Sequence, residues 1–273
     1  DGFVWGRGAL DMKGGIAMMV SALLRARQME PPPGDVLFVV VCDEETGGEF
    51  GARYLVEEHR QLFDGVRYAI GEFGGFSMQI GRRRLYPIMV AEKQLCWLKA
   101  TLRGPGGHAA IPVRSGAMSK LADLLEAVDK KRLPVHITAA GRMMFEGLAA
   151  SLGGIQGLML SQILNPVLTD RILPLLGEKG RLFNTLLRNT VTPTVLHGSD
   201  QINVIPGTVS VDLDARILPG YSARDLVKEL QAAVGKDVEI EVMRFDPSPS
   251  EPDMGLFDTL AGNLVTAALV YGT

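Results

Sequence analysis

Three consecutive acids, Asp43, Glu44 and Glu45, are followed after Thr46 by Gly47-Gly48, and together with Cys42 they close an apolar run, VLFVVV (36–41). Carboxylates this close repel one another, so holding several in one place needs a cation, a proton or bulk water. For this motif alone two readings stand open, a cation site and an ordinary solvated strand end. Two further acids sit in comparable contexts. Asp11 lies between WGRGAL and MKGGIAMMVSALLRA, and Glu72 ends VRYAIGE ahead of Gly74-Gly75. Three carboxylates converging on one crevice suit a pair of metal ions, one bridging, others capping each ion, and a spare acting as base toward bound water.

The elements that must position these groups follow from the apolar pattern. Six apolar residues without a polar partner predict a strand buried on both faces, as in a parallel sheet. Reactive groups in such sheets gather beyond the carboxyl ends of the strands. Ile16, Val20, Leu23 and Leu24 recur at helical spacing, which puts Asp11 on a Gly-rich turn before a helix. Asp11, Glu44/Glu45 and Glu72 are therefore each expected at a strand end of one parallel sheet. From about Glu92 the pattern changes to strand (94–102), helix (116–130), an insert (137–190), paired strands (193–217) joined by a Pro206-Gly207 turn, helix, and strand (238–245). Ser222 and Asp225 have capping-box spacing, with Asp where Glu or Gln is usual, and Gly235 closes that helix.

Alternation in TVSVDLDARI places Val209, Val211, Leu213 and Ala215 on one face and Asp212, Asp214 and Arg216 on the other. Arg216 could fork onto a substrate's free α-carboxylate. A salt bridge to Asp214 or Asp212 is the simpler alternative on spacing alone. Of the four histidines, His59 reads as the surface of an amphipathic helix (ARYLVEEHRQLF), and His136 and His197 as structural residues. His108 stands in GPGGHAAIP, a Gly-rich turn that lets its ring project from a strand end.

Composition bounds the rest. The chain has 273 residues and a net charge of −3, enough length for two domains and a balance that argues against nucleic acid as a partner. Arg82-Arg83-Arg84 reads as a solvated hairpin tip. Cys42 and Cys96 fall in apolar strands and are expected buried and reduced, without a disulfide framework. Residues 147–169 carry no charge, but Gln156, Gln162, Asn165-Pro166 and several Gly and Ser argue against a membrane span. Amphipathic helices packed on the neighbouring sheet or at a dimer contact fit better, and such a patch could also shelter an acyl tail.

GRGALDMKGG, CDEETGG, AIGEFGG, EKQLCWL, GPGGHAAIP and INVIPGTVSVDLDARILPG occur in one order and approximate spacing along nearly the whole chain. In this the chain resembles the co-catalytic zinc metallopeptidase superfamily of aminoacylase, carboxypeptidase S/carboxypeptidase G and succinyl-diaminopimelate desuccinylase. Its tone is nearest to the carboxypeptidase S-like and N-acyl-amino-acid hydrolases. The resemblance implies an α/β fold: a catalytic domain containing a parallel sheet (1–92 and 249–273) and an inserted α+β, ferredoxin-like lid and dimerisation domain (93–248). It implies a homodimer formed through that lid, a cytoplasmic location, and a small-molecule or short-peptide substrate with a free carboxylate. It further implies two zinc ions, with cobalt or manganese as substitutes. Asp11 would bridge them, Glu45 and Glu72 would be terminal ligands, and Glu44 would take a proton from metal-bound water. His108 would steady the oxyanion in the partner subunit's site, and Asn203 and Arg216 would hold the substrate carboxylate. The implied reaction is hydrolysis of an N-acyl amino acid or a C-terminal peptide bond by metal-bound hydroxide. The alternatives are a desuccinylase or deacetylase of a biosynthetic intermediate, or a non-catalytic dimerisation or binding protein of the same fold.

One departure stands out. The family supplies one His to each ion, and none of His59, His108, His136 or His197 matches either motif. The chain opens at Asp1-Gly2 in mid-motif and stops at Tyr271-Gly272-Thr273 in a helix-like run, so it is expected to be an internal fragment of a longer enzyme. Carboxylates alone favour harder cations such as magnesium, calcium or manganese, and this piece by itself is expected to bind zinc weakly and hydrolyse little.

Overall fold

The computed structural model describes residues 2–29, 34–74, 76–80 and 83–271. Expectations that touch Asp1, Gly75, Arg82, Gly272 and Thr273 lie outside those residues. The chain is mixed α/β and divides into two compact units, residues 1–75 and 76–273.

In the first unit, helix α1 (Lys13–Gln28) covers the stretch with helical spacing, but none of its residues is buried. The run 36–41 is extended, has no paired strand among the described residues, and its side chains are between 37% and 60% exposed. The expected doubly buried strand is thus corrected to an unpaired extended segment. The physical reason is that a parallel strand buries both faces only between neighbouring strands and covering helices, which are non-local. VRYAIGE is likewise outside any strand. Cys42 is exposed, contrary to expectation, and both cysteines are free. A 3-10 turn (Glu44–Thr46) and a π-type turn (Glu49–Arg53) lead into the short helix α2 (Tyr54–Glu58).

The second unit opens with a small ladder, β1 (Met78–Ile80) against β2 (Arg83–Leu85). Then come β3 (Gln94–Arg103), the two-residue β4 (Gly107–His108) and α3 (Ala117–Lys130). Four helices make up the insert: α4 (Ala139–Leu152), α5 (Gly154–Ser161), α6 (Pro166–Ile172) and α7 (Glu178–Leu186). The chain continues through β5 (Thr190–His197), β6 (Val204–Ile205), β7 (Thr208–Ile217), α8 (Ala223–Val234), β8 (Glu239–Asp246) and α9 (Phe257–Tyr271). The main sheet is antiparallel in the order β5-β7-β3-β8. Its four strands and the helices α3 and α8 follow one another as βαββαβ, the ferredoxin-like arrangement.

Strict alternation makes this sheet two-faced. Cys96, Leu98, Ala100 and Leu102 of β3 and Val209, Val211, Leu213, Ala215 and Ile217 of β7 pack under Leu121 and Leu124 of α3 and Leu226 and Leu230 of α8. The capping box of α8 forms as spaced: Ser222 Oγ accepts from Asp225 N, and Asp225 accepts from Ser222 N at 3.0 Å. Gly235 ends the helix at φ +96°. The Pro206-Gly207 corner differs from expectation. It does not join two paired strands, because β6 pairs with β4 and β5 reaches β7 through a longer connection.

The insert has a core of its own, built on Phe145, Leu160, Ile163, Leu173, Phe183 and Leu187. Phe145 and Phe183 meet edge to face at 5.3 Å. Helix α7 packs so closely that a Cβ on Gly180 would lie 1.9 Å from the Leu173 carbonyl oxygen. No described helix is long and apolar enough to cross a membrane.

Buried amides tie the sheet's ends together. Gln94 Nε2 donates to the carbonyls of Leu218 (2.9 Å) and Tyr221 (2.8 Å), and its Oε1 accepts from Ser248 N (3.1 Å). Asn189 Oδ1 accepts from Leu218 N at 2.9 Å. Replacing Gln94 by Leu removes the side-chain bond to each of these three backbone groups and leaves the Leu218 carbonyl only the bond from Tyr221 N at 3.2 Å. Loss of about 2–4 kcal/mol of stability is expected, read by urea denaturation through Trp97 fluorescence in a Trp5→Phe background. Gly180→Ala should loosen the insert by roughly 1–3 kcal/mol through overpacking, read as faster amide exchange in α7 and α4.

Candidate active site

The acidic motif forms a tight corner in which Asp43 is partly buried, its Oδ1 shielded from solvent without a hydrogen-bond partner among the described residues. Asp43 adopts φ +53°, Gly47 +106° and Gly48 +69°, and the Asp43 carboxylate accepts from Phe50 N at 2.9 Å, tying the corner to the following turn. Glu44 and Glu45 point outward from their 3-10 turn and are exposed. Asp11 is exposed on the turn before α1, and Glu72 is exposed in a bend. Among the described residues no group of three or more His, Cys, Asp and Glu side chains could hold a metal ion. Asp11, Glu44, Glu45 and Glu72 are thus not gathered into such a group in this structure, although carboxylates are donors that a cation accepts.

The second unit does bring two of the expected residues together. The β4–β6 ladder pairs Gly107 with Ile205 and His108 with Val204. Ala109 N donates to the Asn203 carbonyl (2.9 Å), and Gly104 N donates to the Gly207 carbonyl (3.0 Å). The glycine at 104 is required by contact, since a Cβ there would come within 2.5 Å of Ala117 N. His108 Nδ1 accepts from Ala110 N at 3.2 Å. That bond puts the proton of the neutral ring on Nε2, so the exposed imidazole presents a donor, as an oxyanion partner must.

Arg216 lies elsewhere. It sits eight residues beyond Thr208 along β7, which at roughly 3.3 Å per residue separates it from the β6 corner by about 26 Å. Asn203 thus stands beside His108 and far from Arg216 within one chain. Arg216 projects from the open face of the sheet and forks onto Asp214, Nε to Oδ1 at 2.8 Å and Nη2 to Oδ2 at 3.1 Å. Of the two acids open on spacing, Asp214 takes the guanidinium. Asp212 instead pairs with His197 at 3.0 Å and Lys99 at 3.9 Å.

One residue escaped the sequence reading. Lys93 donates to the carbonyls of Thr185 (3.1 Å) and Arg188 (2.9 Å) and to Thr190 Oγ1 (3.0 Å). Burial, and after it the neighbouring Arg216 guanidinium, lowers its ammonium to about 8. Only its place in EKQLCWL could have flagged it. Of the other histidines, His136 bonds Glu229 at 2.6 Å in a half-buried pair, and His59 leans on Tyr54 with ring centres 5.2 Å apart.

Comparison with known proteins agrees with the motif order. The N-fatty-acyl-amino acid synthase/hydrolase PM20D1.1 of Danio rerio is 26% identical over 268 residues, covering 91% of this chain and 49% of the relative. An uncharacterized metallohydrolase of Methanococcus maripaludis is 25% identical, covering 92% of this chain and 51% of its own length. The probable carboxypeptidase S-like 2 of Dictyostelium discoideum is 25% identical, covering 87% and 46%. The chain spans about half the length of the curated relatives it matches. Residues 1–272 match peptidase family M20/M25/M40, and the chain belongs to that family.

Proposed function

We propose that the full-length protein is a metal-dependent hydrolase that cleaves the amide of N-acyl amino acids or a C-terminal peptide bond. The observation that carries this reading is the family match over residues 1–272. Relatives named as an N-fatty-acyl-amino acid hydrolase, a metallohydrolase and a carboxypeptidase S-like protein support it. In this reading residues 1–92 and 249–273 belong to a catalytic domain and 93–248 to a lid. Asp11, Glu45 and Glu72 would ligate two zinc ions, with Glu44 as base, once the carboxylates are brought together. Such a cation pair supplies Lewis-acid polarisation of the scissile carbonyl and of a water.

The residues of the second unit divide the remaining work. Arg216 holds the substrate carboxylate, and His108 donates its Nε2–H to the oxyanion, with Asn203 beside it. A carboxylate and the adjacent scissile carbonyl of an N-acyl amino acid are only a few bonds apart, far less than the length of β7. His108 and Arg216 of one chain therefore cannot both reach one substrate, which favours a homodimer in which each site takes its Arg216 from one chain and its His108 from the other. The separated carboxylates of the first unit favour a second reading, a binding or dimerisation protein without activity.

Two measurements separate these readings. The purified full-length protein should carry about two zinc per subunit and hydrolyse N-acetyl amino acids. Absence of both would support the non-catalytic reading. Co-expressed His108→Ala and Arg216→Ala chains, each inactive alone, should regain about a quarter of wild-type activity, because half of randomly paired dimers are mixed and each has one intact site. No recovery on mixing would refute the two-chain site.

A further inference from the structure

We infer that Asp214 is a positioning residue that presents the end-on fork of Arg216 to a carboxylate. The inference rests on the proposed reading of Arg216 as the substrate's carboxylate partner and says how that side chain is made ready. A guanidinium has a side edge, Nε with one Nη2 proton, and an end edge formed by Nη1 and the other Nη2 proton. Asp214 takes the side edge with both carboxylate oxygens, at 2.8 Å and 3.1 Å. No described residue accepts a hydrogen bond from Nη1 of Arg216, so the end edge keeps two parallel donors facing outward, the geometry a second carboxylate accepts.

The surroundings hold this arrangement on the open face. In the sheet register Asp214 lies between Thr192 of β5 and Trp97 of β3, and Arg216 between Thr190 and Leu95. Asp212, the next acid along the same face, bonds His197 through Oδ2, has Lys99 3.9 Å from Oδ1, and takes no hydrogen bond from the guanidinium. Lys93 adds a cation beside Arg216 while its own donors are spent on Thr185, Arg188 and Thr190. With Lys93 protonated, Arg216, Lys93 and Asp214 carry a net charge of +1, so Asp214 orients the guanidinium without cancelling the attraction for an anion.

This makes a prediction whose sign separates orientation from charge. By Coulomb repulsion alone, removing Asp214 should improve binding of a carboxylate substrate. By orientation it should weaken it. The test is steady-state kinetics of the full-length enzyme on a panel of N-acetyl amino acids, comparing wild type with Asp214→Asn, Asp214→Ala, Asp212→Asn and Arg216→Ala. Loss of charge-assisted hydrogen bonding should raise KM about tenfold in both Asp214 variants, with kcat nearly unchanged. Asp212→Asn removes the same charge from the same strand face and should leave KM where it was. A lowered or unchanged KM in the Asp214 variants, with a raised KM in Arg216→Ala, overturns the positioning role and leaves Arg216 in place. An unchanged KM in Arg216→Ala, or no hydrolysis of any panel member by wild type, removes the reading of Arg216 and this inference with it.

Discussion

Both backbone polar groups of Leu218 are gripped by buried side-chain amides, its carbonyl by Gln94 and its N–H by Asn189. A buried amide left partly unbonded costs more than the bond itself contributes, so these side chains cannot drift without penalty. Gln94 also holds Tyr221 and Ser248, and Asn189 donates to Glu229 at 3.0 Å. The start of β3, the end of β7, the start of α8 and the exit from β8 are thereby drawn to one point. Arg216 lies two residues before Leu218 and inherits that fixed frame. The polar chemistry of the open face depends on a backbone whose end is tied down on the opposite, buried side.

From that anchor β7 acts as a rigid spacer. Its backbone is paired along its whole length with β3 and from Ser210 to Arg216 with β5, so the distance between the Arg216 end and the β4–β6 corner is set by strand geometry and not by side-chain choice. Arg216 and the β4–β6 corner that carries His108 lie toward opposite ends of a run of β7 about 26 Å long. That span is why the proposed reading, in which both groups serve one small substrate, calls on a second chain.

What could be read in the sequence divides by the range of the interactions involved. Strand β7, its two faces and the capping box of α8 depend on alternation and on contacts within a few residues, and the structure reproduces them nearly residue for residue. The helices of the insert were expected in outline, although their internal core of Phe145 and Phe183 comes from positions 38 apart that no periodicity links. The run 36–41 and the ends of VRYAIGE are another matter. Their apolar composition states that they should be buried, but not against what, and burial requires strands and helices remote in sequence. The placement of Asp11, Glu44, Glu45 and Glu72 hangs on that pairing, so the acidic site was legible as a motif and not as a geometry. Asn203 shows the same limit, because its neighbour His108 is chosen by a two-residue ladder across nearly a hundred positions.

The ion pairs of the open face add one more distinction. Arg216 and Asp214 are 50% and 33% exposed, and Arg103–Glu239 is more exposed still. Pairs of this kind contribute at most about 1 kcal/mol to folding, so stability gives little reason for a two-point fork at Arg216. A fork does something a single contact cannot, which is to fix the plane of the guanidinium as well as its position. Fixing that plane reduces the ordering cost that an incoming carboxylate would otherwise meet. In the closed core of this sheet side-chain geometry serves burial, and on its open face the same strand spends its charges on direction.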